Sequence, residues 1–418
     1  MRSLRFCFLT TFYPPHNFGG DGIAIQHLAR GLVKAGHEVT VVHDVDAFDL
    51  LHDGPEPAPV EEPRGLNVVR LRSRMGRLSC LLTQQTGRPV IHRKAIQAVL
   101  DDGDFDVVNF HNISLIGGPG LLSLGEGSLR LYMAHEHWLV CPMHVLWRHQ
   151  RERCPEKQCF RCTLNHRRPP QLYRYNGFME RQLENVDTFI AMSEFSRDKH
   201  HEFGFKHEME VLPSLLPPPR EASRGVRPAR ARPYFLFVGR LEKIKGLDDV
   251  IPVFRDYPDT DLVIAGDGEH AAELEALADG IPNVRFLGRV PTEELPAHYR
   301  DALALIVPSV CFETFGIILI EAMSHGTPVI ARRLGPFPEI VNKAEAGALF
   351  ETEEELRAAL DRFGSDTDYR ARLAANGRAA FQKHWVEDVV VDRYLEIVES
   401  TATRLNRDDI VAHHHQTR

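Results

Sequence analysis

The sequence predicts an α/β protein with two doubly wound, parallel-sheet domains, and two observations support this prediction. Apolar segments of strand length alternate with helical patterns in the first half of the 418-residue chain, and the alternation starts again after residue 233. Between the two series, residues 213–233 contain six prolines and five arginines with little apolar periodicity, which is typical of an interdomain linker. We therefore expect domains at 1–212 and 234–384, facing a central cleft.

The elements follow in order. A strand at 4–9 is followed by the glycine-rich turn 19–22 and by a helix that Gly36 ends. Further strands of the first domain are predicted at 39–42, 68–71, 107–110, 129–133 and 188–191. Strands of the second domain are predicted at 234–238, 262–265, 284–287, 304–307 and 329–331. A long amphipathic helix is expected at 385–404.

Composition excludes several classes of protein. Hydrophobic residues make up 43% and charged residues 26%, as in ordinary globular proteins, and the net charge of −8 argues against a nucleic-acid binder. No apolar run reaches the ~18 residues of a membrane-spanning helix, and the run after Met1 is too short for a secretory signal. Without export, we expect a cytoplasmic protein whose seven cysteines are reduced thiols or metal ligands.

One segment of the second domain combines two carboxylates with a helix N-terminus. Glu313 and Glu321 are separated by seven residues, and the predicted helix at 317–323 is apolar on every side except at Glu321. Backbone N–H groups at the start of this helix would bind an anion. The pattern predicts a site for a ligand with hydroxyl groups beside a phosphate. In the structural alternative, Thr314 caps the helix and Glu321 bonds a neighbouring backbone group.

A second pattern places two cations after the first strand of this domain. Arg240 and Lys245 lie five residues apart, just past the strand at 234–238. A guanidinium binds phosphate as a fork and an ammonium binds it as a point charge. The pair is therefore expected to neutralise a pyrophosphate leaving group. The alternative is a pair of solvated surface cations.

These motifs resemble those of family 4 glycosyltransferases. The resemblance is carried by GRLEKIKG at 239–246, the two glutamates, HGTPV at 325–329, and Gly19-Gly20 with GHEV at 36–39. It spans nearly the whole chain and implies the GT-B fold of two Rossmann-like domains. It also implies a transferase of the hexosyltransferase type that retains anomeric configuration and needs no metal for transfer. By the same resemblance, the helix at 385–404 would complete the first domain.

The resemblance implies roles for single residues as well. Glu313 would bind donor-sugar hydroxyls, Glu321 would bind the nucleoside ribose, and Arg240 and Lys245 would bind the diphosphate. Backbone groups would supply the remaining donor contacts, at Phe315, Gly316, Ile317, Gly19 and Gly20.

Histidines of the first domain are expected on its acceptor side. His111 and the pair His135-Glu136 each follow a predicted strand. The second group resembles the family's His-Asp-Tyr-Trp version, with Glu136 and His137 as departures, and His135 would bind the donor sugar or position the acceptor. Structural roles for His111 and His135 stay open, as does a metal site formed with His137. The predicted catalytic residues are His135, Arg240, Lys245 and Glu313.

Four cysteines cluster in a predicted insertion at 141–170. Cys141, Cys154, Cys159 and Cys162 are separated by 12, four and two residues. This spacing suits a tetrahedral zinc site, and four protein ligands would make the ion structural. The alternatives are unliganded thiols, or a site in which a nearby histidine, 144 or 149, replaces one cysteine.

Two further charged patterns are open to several interpretations. A basic segment would bind an anionic acceptor or an acidic membrane surface unless it is a solvated loop; its members are Arg70, Arg72, Arg74 and Arg77. Two Asp-x-Asp pairs match a metal–nucleotide motif of the other large glycosyltransferase fold, which two Rossmann-like domains contradict. We interpret them as solvated carboxylates; they are Asp44 with Asp46, and Asp104 with Asp106.

The sequence thus predicts a retaining glycosyltransferase, cytoplasmic or held peripherally at the inner membrane face. Its donor would be a UDP-, GDP- or ADP-sugar, and its acceptor a hydroxyl of a glycan, a lipid-linked molecule or a small molecule. Three alternatives stay open. They are a GT-B-fold epimerase or phosphorylase, a metal-dependent hydrolase built on the histidines of the first domain, and a non-catalytic nucleotide-sugar sensor.

Overall fold

A computed structural model describes residues 3–52, 54–219 and 232–411. The chain divides into two compact units, Met1–Leu215 with Glu387–Arg418, and Leu216–Val386. Most of the predicted linker, residues 220–231, lies outside the described residues. No helix in the described ranges is both long enough and apolar enough to cross a membrane.

The strands are β1 (Arg5–Thr10), β2 (Glu38–Asp44), β3 (Leu66–Leu71), β4 (Val107–Phe110), β5 (Leu129–Ala134), β6 (Trp147–Arg148), β7 (Glu152–Arg153), β8 (Thr188–Ala191), β9 (Met209–Val211), β10 (Tyr234–Val238), β11 (Asp261–Ala265), β12 (Val284–Gly288), β13 (Leu305–Val307), β14 (Val329–Arg332) and β15 (Gly347–Phe350). The helices are α1 (Gly20–Lys34), α2 (Val45–Leu51), α3 (Arg77–Thr86), α4 (Arg93–Gly103), α5 (Cys159–Asn165), α6 (Phe178–Leu183), α7 (Glu194–Glu202), α8 (Ala271–Leu277), α9 (Leu295–Asp301), α10 (Ile317–Ser324), α11 (Phe337–Ala344), α12 (Glu353–Ser365), α13 (Thr367–His384), α14 (Glu387–Arg404) and α15 (Asp408–Val411).

The first unit is built on a parallel sheet with the strand order β3-β2-β1-β4-β5-β8-β9. The central strands are apolar and almost fully buried, because helices cover both faces of a parallel sheet. The chain runs outward from β1 to β3 and then returns to place β4 on the other side of β1. This reversal opens a crevice at the carboxyl ends of β1 and β4.

The helix α14 packs onto the rest of the first unit through buried apolar side chains and through polar contacts. Lys34 of α1 lies 3.0 Å from the carboxylate of Glu387. The amide of Asn109 in β4 donates a hydrogen bond to the hydroxyl of Tyr394 at 3.0 Å. These contacts attach the C-terminal helix to the same unit as the first strand.

The second unit repeats the plan with a parallel sheet in the order β12-β11-β10-β13-β14-β15. Its core packs aromatic and aliphatic side chains from several strands and helices, including Phe235, Leu262, Ile306 and Phe363. Here the direction of winding reverses between β10 and β13. The predicted fold class, two doubly wound α/β units, is therefore confirmed.

Candidate functional site

The candidate site of the second unit lies at the reversal of its sheet. The loops that follow β10 and β13 leave the sheet in opposite directions, and doubly wound proteins bind ligands in the crevice between such loops. Lys245 ends a 3₁₀ turn (Lys243–Lys245) on the first loop, and Glu313 lies on the second. The topology thus brings together two residues that the sequence placed in one site.

Lys245 and Glu313 form an ion pair. The Lys245 Nζ atom lies 2.7 Å from Oε1 of Glu313, and the hydroxyl of Ser309 donates a hydrogen bond to the same oxygen at 3.1 Å. Burial opposes both charges, but attraction between the partners raises the pKa of Lys245 and lowers that of Glu313. Both groups therefore stay charged near neutral pH, although their side chains are only 22% and 24% exposed.

A glycine permits this contact. Gly246 has a φ of +72°, and a Cβ atom there would lie 2.3 Å from the carbonyl oxygen of Pro308. Next to it, the N–H of Val310 donates a hydrogen bond to the carbonyl of Ile244 at 2.9 Å. The two loops pack backbone against backbone, which fixes the position of Lys245. Gly246 is part of the GRLEKIKG segment, but nothing in the sequence alone assigns it a role in the site.

The helix α10 begins four residues after Glu313. Its N-cap is Gly316, with a φ of +100°, which has no side chain that could cap the helix. The first N–H groups of a helix have no acceptor inside it, so those at Ile317 and its neighbours can bind an anion. A Cβ atom on Gly316 would lie 2.7 Å from the ring of Phe337. The N-cap position belongs to Gly316, whereas the structural alternative placed Thr314 there.

Glu321 has a side-chain partner of its own. The hydroxyl of Tyr299 donates a hydrogen bond to Oε2 of Glu321 at 3.0 Å. Tyr299 is fully buried, and its ring stacks on His325 at 5.7 Å. Burial raises the pKa of Glu321, and the bond from Tyr299 acts in the opposite direction. The partner of the Glu321 side chain is therefore a tyrosine hydroxyl, whereas the structural alternative named a neighbouring backbone group.

Arg240 is the exposed member of the predicted set. Its side chain is 57% exposed, and Nη1 lies 2.6 Å from Oε1 of Glu242. The pKa of Glu313 depends first on burial and then on its partners Lys245 and Ser309. The positive charge of Arg240 also lowers the pKa of Glu313. Arg240 is therefore within electrostatic reach of the ion pair while its guanidinium faces solvent.

In the first unit, the predicted glycines lie at the start of α1, beside the reversal between β1 and β4. Gly19 is the N-cap of this 15-residue helix, in extended conformation and with no side-chain cap. A Cβ atom there would approach only Asp21, at 3.6 Å, and Gly20 is exposed. The helix start is therefore open to a ligand.

His111 and His135 meet at the same edge of the sheet. Nδ1 of His111 lies 2.9 Å from Nε2 of His135, and the ring of His111 packs on Phe8 at 4.7 Å. Burial lowers the pKa of His111 well below its usual value and lowers that of His135 to about 4, against the raising effect of Asp21. Both imidazoles are therefore neutral near pH 7. The sequence singled out each histidine, but it did not predict their direct contact.

Glu136 and His137 diverge from this pair. Oε1 of Glu136 lies 2.6 Å from Nδ1 of His144, whereas His137 is buried with its ring 5.1 Å from that of His200. Over the described ranges, the group with metal-ligating distances is instead formed by Asp44, Asp46 and His92. The hydrolase alternative therefore loses the metal site on which it depended.

The interpretation of the Asp-x-Asp pairs as solvated is wrong for three of the four carboxylates. Asp44 and Asp46 are 0% and 2% exposed, and Asp106 is buried as well. Asp44 caps α2 by accepting the N–H of Ala47 at 3.3 Å, and Asp46 accepts bonds from the N–H and hydroxyl of Ser73. Asp104 alone is exposed, as expected.

The four clustered cysteines line one cavity in the insertion between β5 and β8. Within the described part of the chain, however, no three of their sulfur atoms lie within 4.8 Å of one another. Burial raises the pKa of Cys141 to about 11, and backbone N–H groups of Leu146 and Met143 act in the opposite direction.

Two family models match the chain over most of its length. The model of glycosyl transferases group 1 matches residues 220–380, and the model of glycosyltransferase family 4 matches residues 18–217. The chain belongs to the group 1 glycosyltransferases. It is therefore an enzyme that transfers a sugar from a nucleotide-sugar donor, and the predicted family and class of activity are confirmed.

Relatives and solved structures agree with this assignment. A phosphatidyl-myo-inositol mannosyltransferase of Mycolicibacterium smegmatis is 26% identical, over 93% of this chain and 92% of its own length. The fold matches sucrose-phosphate synthase of Thermosynechococcus elongatus, with 20% identity, a TM-score of 0.74 and coverage of 96% of this chain and 100% of that one. It also matches Anabaena HepE in complex with UDP and glucose, with 18% identity, a TM-score of 0.67 and coverage of 95% and 100%. The enzyme thus has the GT-B fold.

Proposed function

We propose that this glycosyltransferase retains the anomeric configuration of the sugar and binds the donor diphosphate with Lys245, Arg240 and the N-terminus of α10. The Lys245–Glu313 ion pair carries the proposal, because it puts a fixed cation and a fixed carboxylate just before a helix whose N-cap is a glycine. A nucleotide sugar offers the matching groups, a diphosphate next to sugar hydroxyls. Glu313 would accept hydrogen bonds from those hydroxyls, and Glu321 would accept them from the ribose.

Catalysis would rest on charge stabilisation and orientation. As the bond from the anomeric carbon to the diphosphate breaks, negative charge develops on the leaving oxygen. The cations and helix N–H groups would stabilise that charge, so transfer needs no metal ion. The acceptor hydroxyl would attack from the face that the diphosphate leaves, and no protein nucleophile takes part.

Roles in the first unit complete the proposal. His135, as a neutral imidazole, would bind a sugar hydroxyl or position the acceptor. Its Nε2 atom forms a hydrogen bond with Nδ1 of His111, which holds the ring in place. Glu136 would act on the acceptor side, and the open start of α1 at Gly19 and Gly20 would approach phosphate.

The donor and acceptor are proposed at the level of chemical class. A structural neighbour was solved with UDP, so a UDP-sugar is the first donor to test, followed by GDP- and ADP-sugars. A relative is named for transfer to phosphatidyl-myo-inositol, and this favours a lipid-linked acceptor over a free glycan or small molecule.

We also propose that the enzyme associates peripherally with an anionic membrane, at the inner face, through the segment around α3. Exposed arginines and exposed apolar side chains alternate there; they are Arg70, Arg72, Arg74, Met75, Arg77, Leu78 and Leu81. A basic surface with apolar side chains suits an anionic lipid surface. Co-sedimentation with phosphatidylglycerol-containing vesicles, but not with neutral vesicles, is expected to be lost when Arg74 and Arg77 become Glu.

The central test uses purified enzyme and a panel of nucleotide sugars. Nucleoside diphosphate should be released only when an acceptor is present, with or without a chelator, and NMR of the product should show the anomeric configuration of the donor. Inversion, or loss of turnover with chelator, would contradict the proposed mechanism. Acceptor-independent release would instead favour an epimerase or phosphorylase, and donor binding without turnover would indicate a sensor.

A further inference from the structure

The insertion between β5 and β8 contains a substructure that sugar transfer does not use. The short hairpin β6–β7 is followed by the helix α5, and cysteines occur at each junction. Cys141 precedes the hairpin, Cys154 follows β7 directly, and Cys159 and Cys162 lie in the first turn of α5. Residues three apart on a helix share a face, so these last two thiols point to the same side.

The hairpin already contacts the helix at one of these thiols. The N–H of His149, in the hairpin turn, donates to Sγ of Cys162 at 3.3 Å. At the other end of the hairpin, the thiol of Cys154 donates to the carbonyl oxygen of Glu156 at 3.2 Å. The hairpin and α5 therefore approach each other through the segment that carries the cysteines.

All four cysteines also line a single cavity. None of its other lining residues is a carboxylate; they are Pro142, Met143, Trp147, Arg148 and Gln158. An all-sulfur donor set excludes magnesium and calcium, which require oxygen ligands. Four thiolates in a tetrahedral arrangement are typical of structural zinc.

We propose that Cys141, Cys154, Cys159 and Cys162 bind one structural zinc ion. Zinc–sulfur bonds of about 2.3 Å would place the four sulfur atoms closer together than they lie here, so binding would draw the hairpin and α5 together. With four protein ligands, the ion has no open position for substrate. Its role is therefore to close the insertion.

The closed insertion would position a residue of the acceptor side. The N–H of Cys141 donates to the carbonyl of His137 at 2.8 Å, and the N–H of His137 donates to the carbonyl of His144 at 2.9 Å. The side chain of His144 in turn lies 2.6 Å from Glu136. The proposed zinc site therefore lies at the base of the segment that carries His135 and Glu136.

Elemental analysis of the full-length enzyme, purified under reducing conditions without chelator, tests this proposal. We expect about one zinc ion per chain in the wild type, and near-complete loss in Cys159→Ser and Cys162→Ser. The matched control is Cys80→Ser, which removes a buried thiol outside the cluster and should keep the ion. A wild type without stoichiometric zinc, or a Cys159→Ser variant that keeps it, overturns the proposal, as does iron in place of zinc.

A second measurement covers variants that fail to fold. The wild-type enzyme is titrated with a mercurial thiol reagent while released zinc is followed with a chromophoric chelator. Release of zinc in proportion to modification of the clustered thiols supports the site. Titration of fewer than seven thiols under denaturing conditions would instead reveal disulfides and overturn the proposal. Neither readout involves sugar transfer, so this proposal and the proposed function can fail independently.

Discussion

Lys245 and Glu313 are 68 residues apart in the chain, yet Nζ of one lies 2.7 Å from Oε1 of the other. Each keeps its partner ionised in a partly buried position, against the cost of burial. The cation is thus in place before a diphosphate binds, and a preorganised charge needs no rearrangement when the reaction occurs. The same contact holds a carboxylate next to that cation, where sugar hydroxyls of a donor would reach it.

Lys245→Ala is expected to lower kcat by about 10²–10³-fold, because it removes the fixed charge that stabilises the leaving diphosphate. Glu313→Ala should lower kcat to a similar extent, because it removes the carboxylate that accepts hydrogen bonds from the donor-sugar hydroxyls. The control is Lys243→Ala, since Lys243 is exposed on the same 3₁₀ turn. Steady-state kinetics, together with a thermal unfolding scan, would distinguish a loss of catalysis from a loss of folding. Near-normal turnover in both the Lys245 and the Glu313 variant would contradict this site assignment.

Gly246→Ala is expected to lower both stability and transfer, and a second glycine isolates the cause. Gly246 and Gly280 have φ of +72° and +74°, but only at Gly246 would a Cβ atom meet backbone, that of Pro308 at 2.3 Å. Gly280→Ala should therefore cost only the left-handed strain of about 1–2 kcal/mol. Gly246→Ala should cost more in the free energy of unfolding by urea and should also raise the donor KM. Equal effects of the two variants on stability and on KM would show that the loop contact is unimportant.

All eleven strands that the sequence predicts are present, because both sheets are parallel and covered on both faces. The short strands β6, β7, β9 and β15 are not predicted. A fully buried strand such as β10 is a continuous apolar run, which needs no knowledge of its neighbours. The reversal of winding then follows from strand order, and it locates the loops that carry Lys245 and Glu313. The contact between those two side chains could not be predicted, because it depends on the backbone of Gly246 lying against Pro308.

The carboxylates of Asp44 and Asp46 show why a short pattern fails. The sequence places two acidic residues after a strand, where solvated side chains are common. Their burial comes from partners distant in the chain: Ser73 bonds to Asp46, and Nε2 of His92 lies 3.2 Å from the same carboxylate. Local spacing contains no information on either partner, so only the folded structure reveals that the pair is internal.

The pH dependence of activity should show no contribution from His135 near neutral pH. Burial lowers the pKa of this imidazole to about 4, although Asp21 opposes the shift. The side chain is therefore neutral throughout the usual assay range, and it can bind a hydroxyl without titrating. The ratio of kcat/KM between wild type and His135→Asn should stay constant from about pH 5.5 to about pH 8. A ratio that changes around the usual histidine pKa would contradict this assignment.

Asp44→Asn is expected to stabilise the first unit, and by more as the pH rises. Burial raises the pKa of Asp44 from 3.8 to about 7, the charge of Asp46 adds to the shift, and the N–H of Ala47 opposes it. His92, whose own pKa burial lowers, faces the same carboxylate at 3.6 Å. Because the folded form holds this proton more tightly than the unfolded chain does, the contribution of Asp44 to stability is fully present below about pH 4. That contribution is lost as the pH rises through about 7.

Asparagine cannot ionise, and its side-chain oxygen can still accept the N–H of Ala47 and cap α2. The difference in free energy of unfolding between variant and wild type should therefore grow in favour of the variant between about pH 4 and about pH 7, by up to a few kcal/mol. Urea titrations of both proteins across this range measure the difference. Asp104→Asn, which makes the same substitution at an exposed carboxylate of the same unit, is the matched control. A difference that does not vary with pH would mean that Asp44 remains ionised in the folded protein despite its burial.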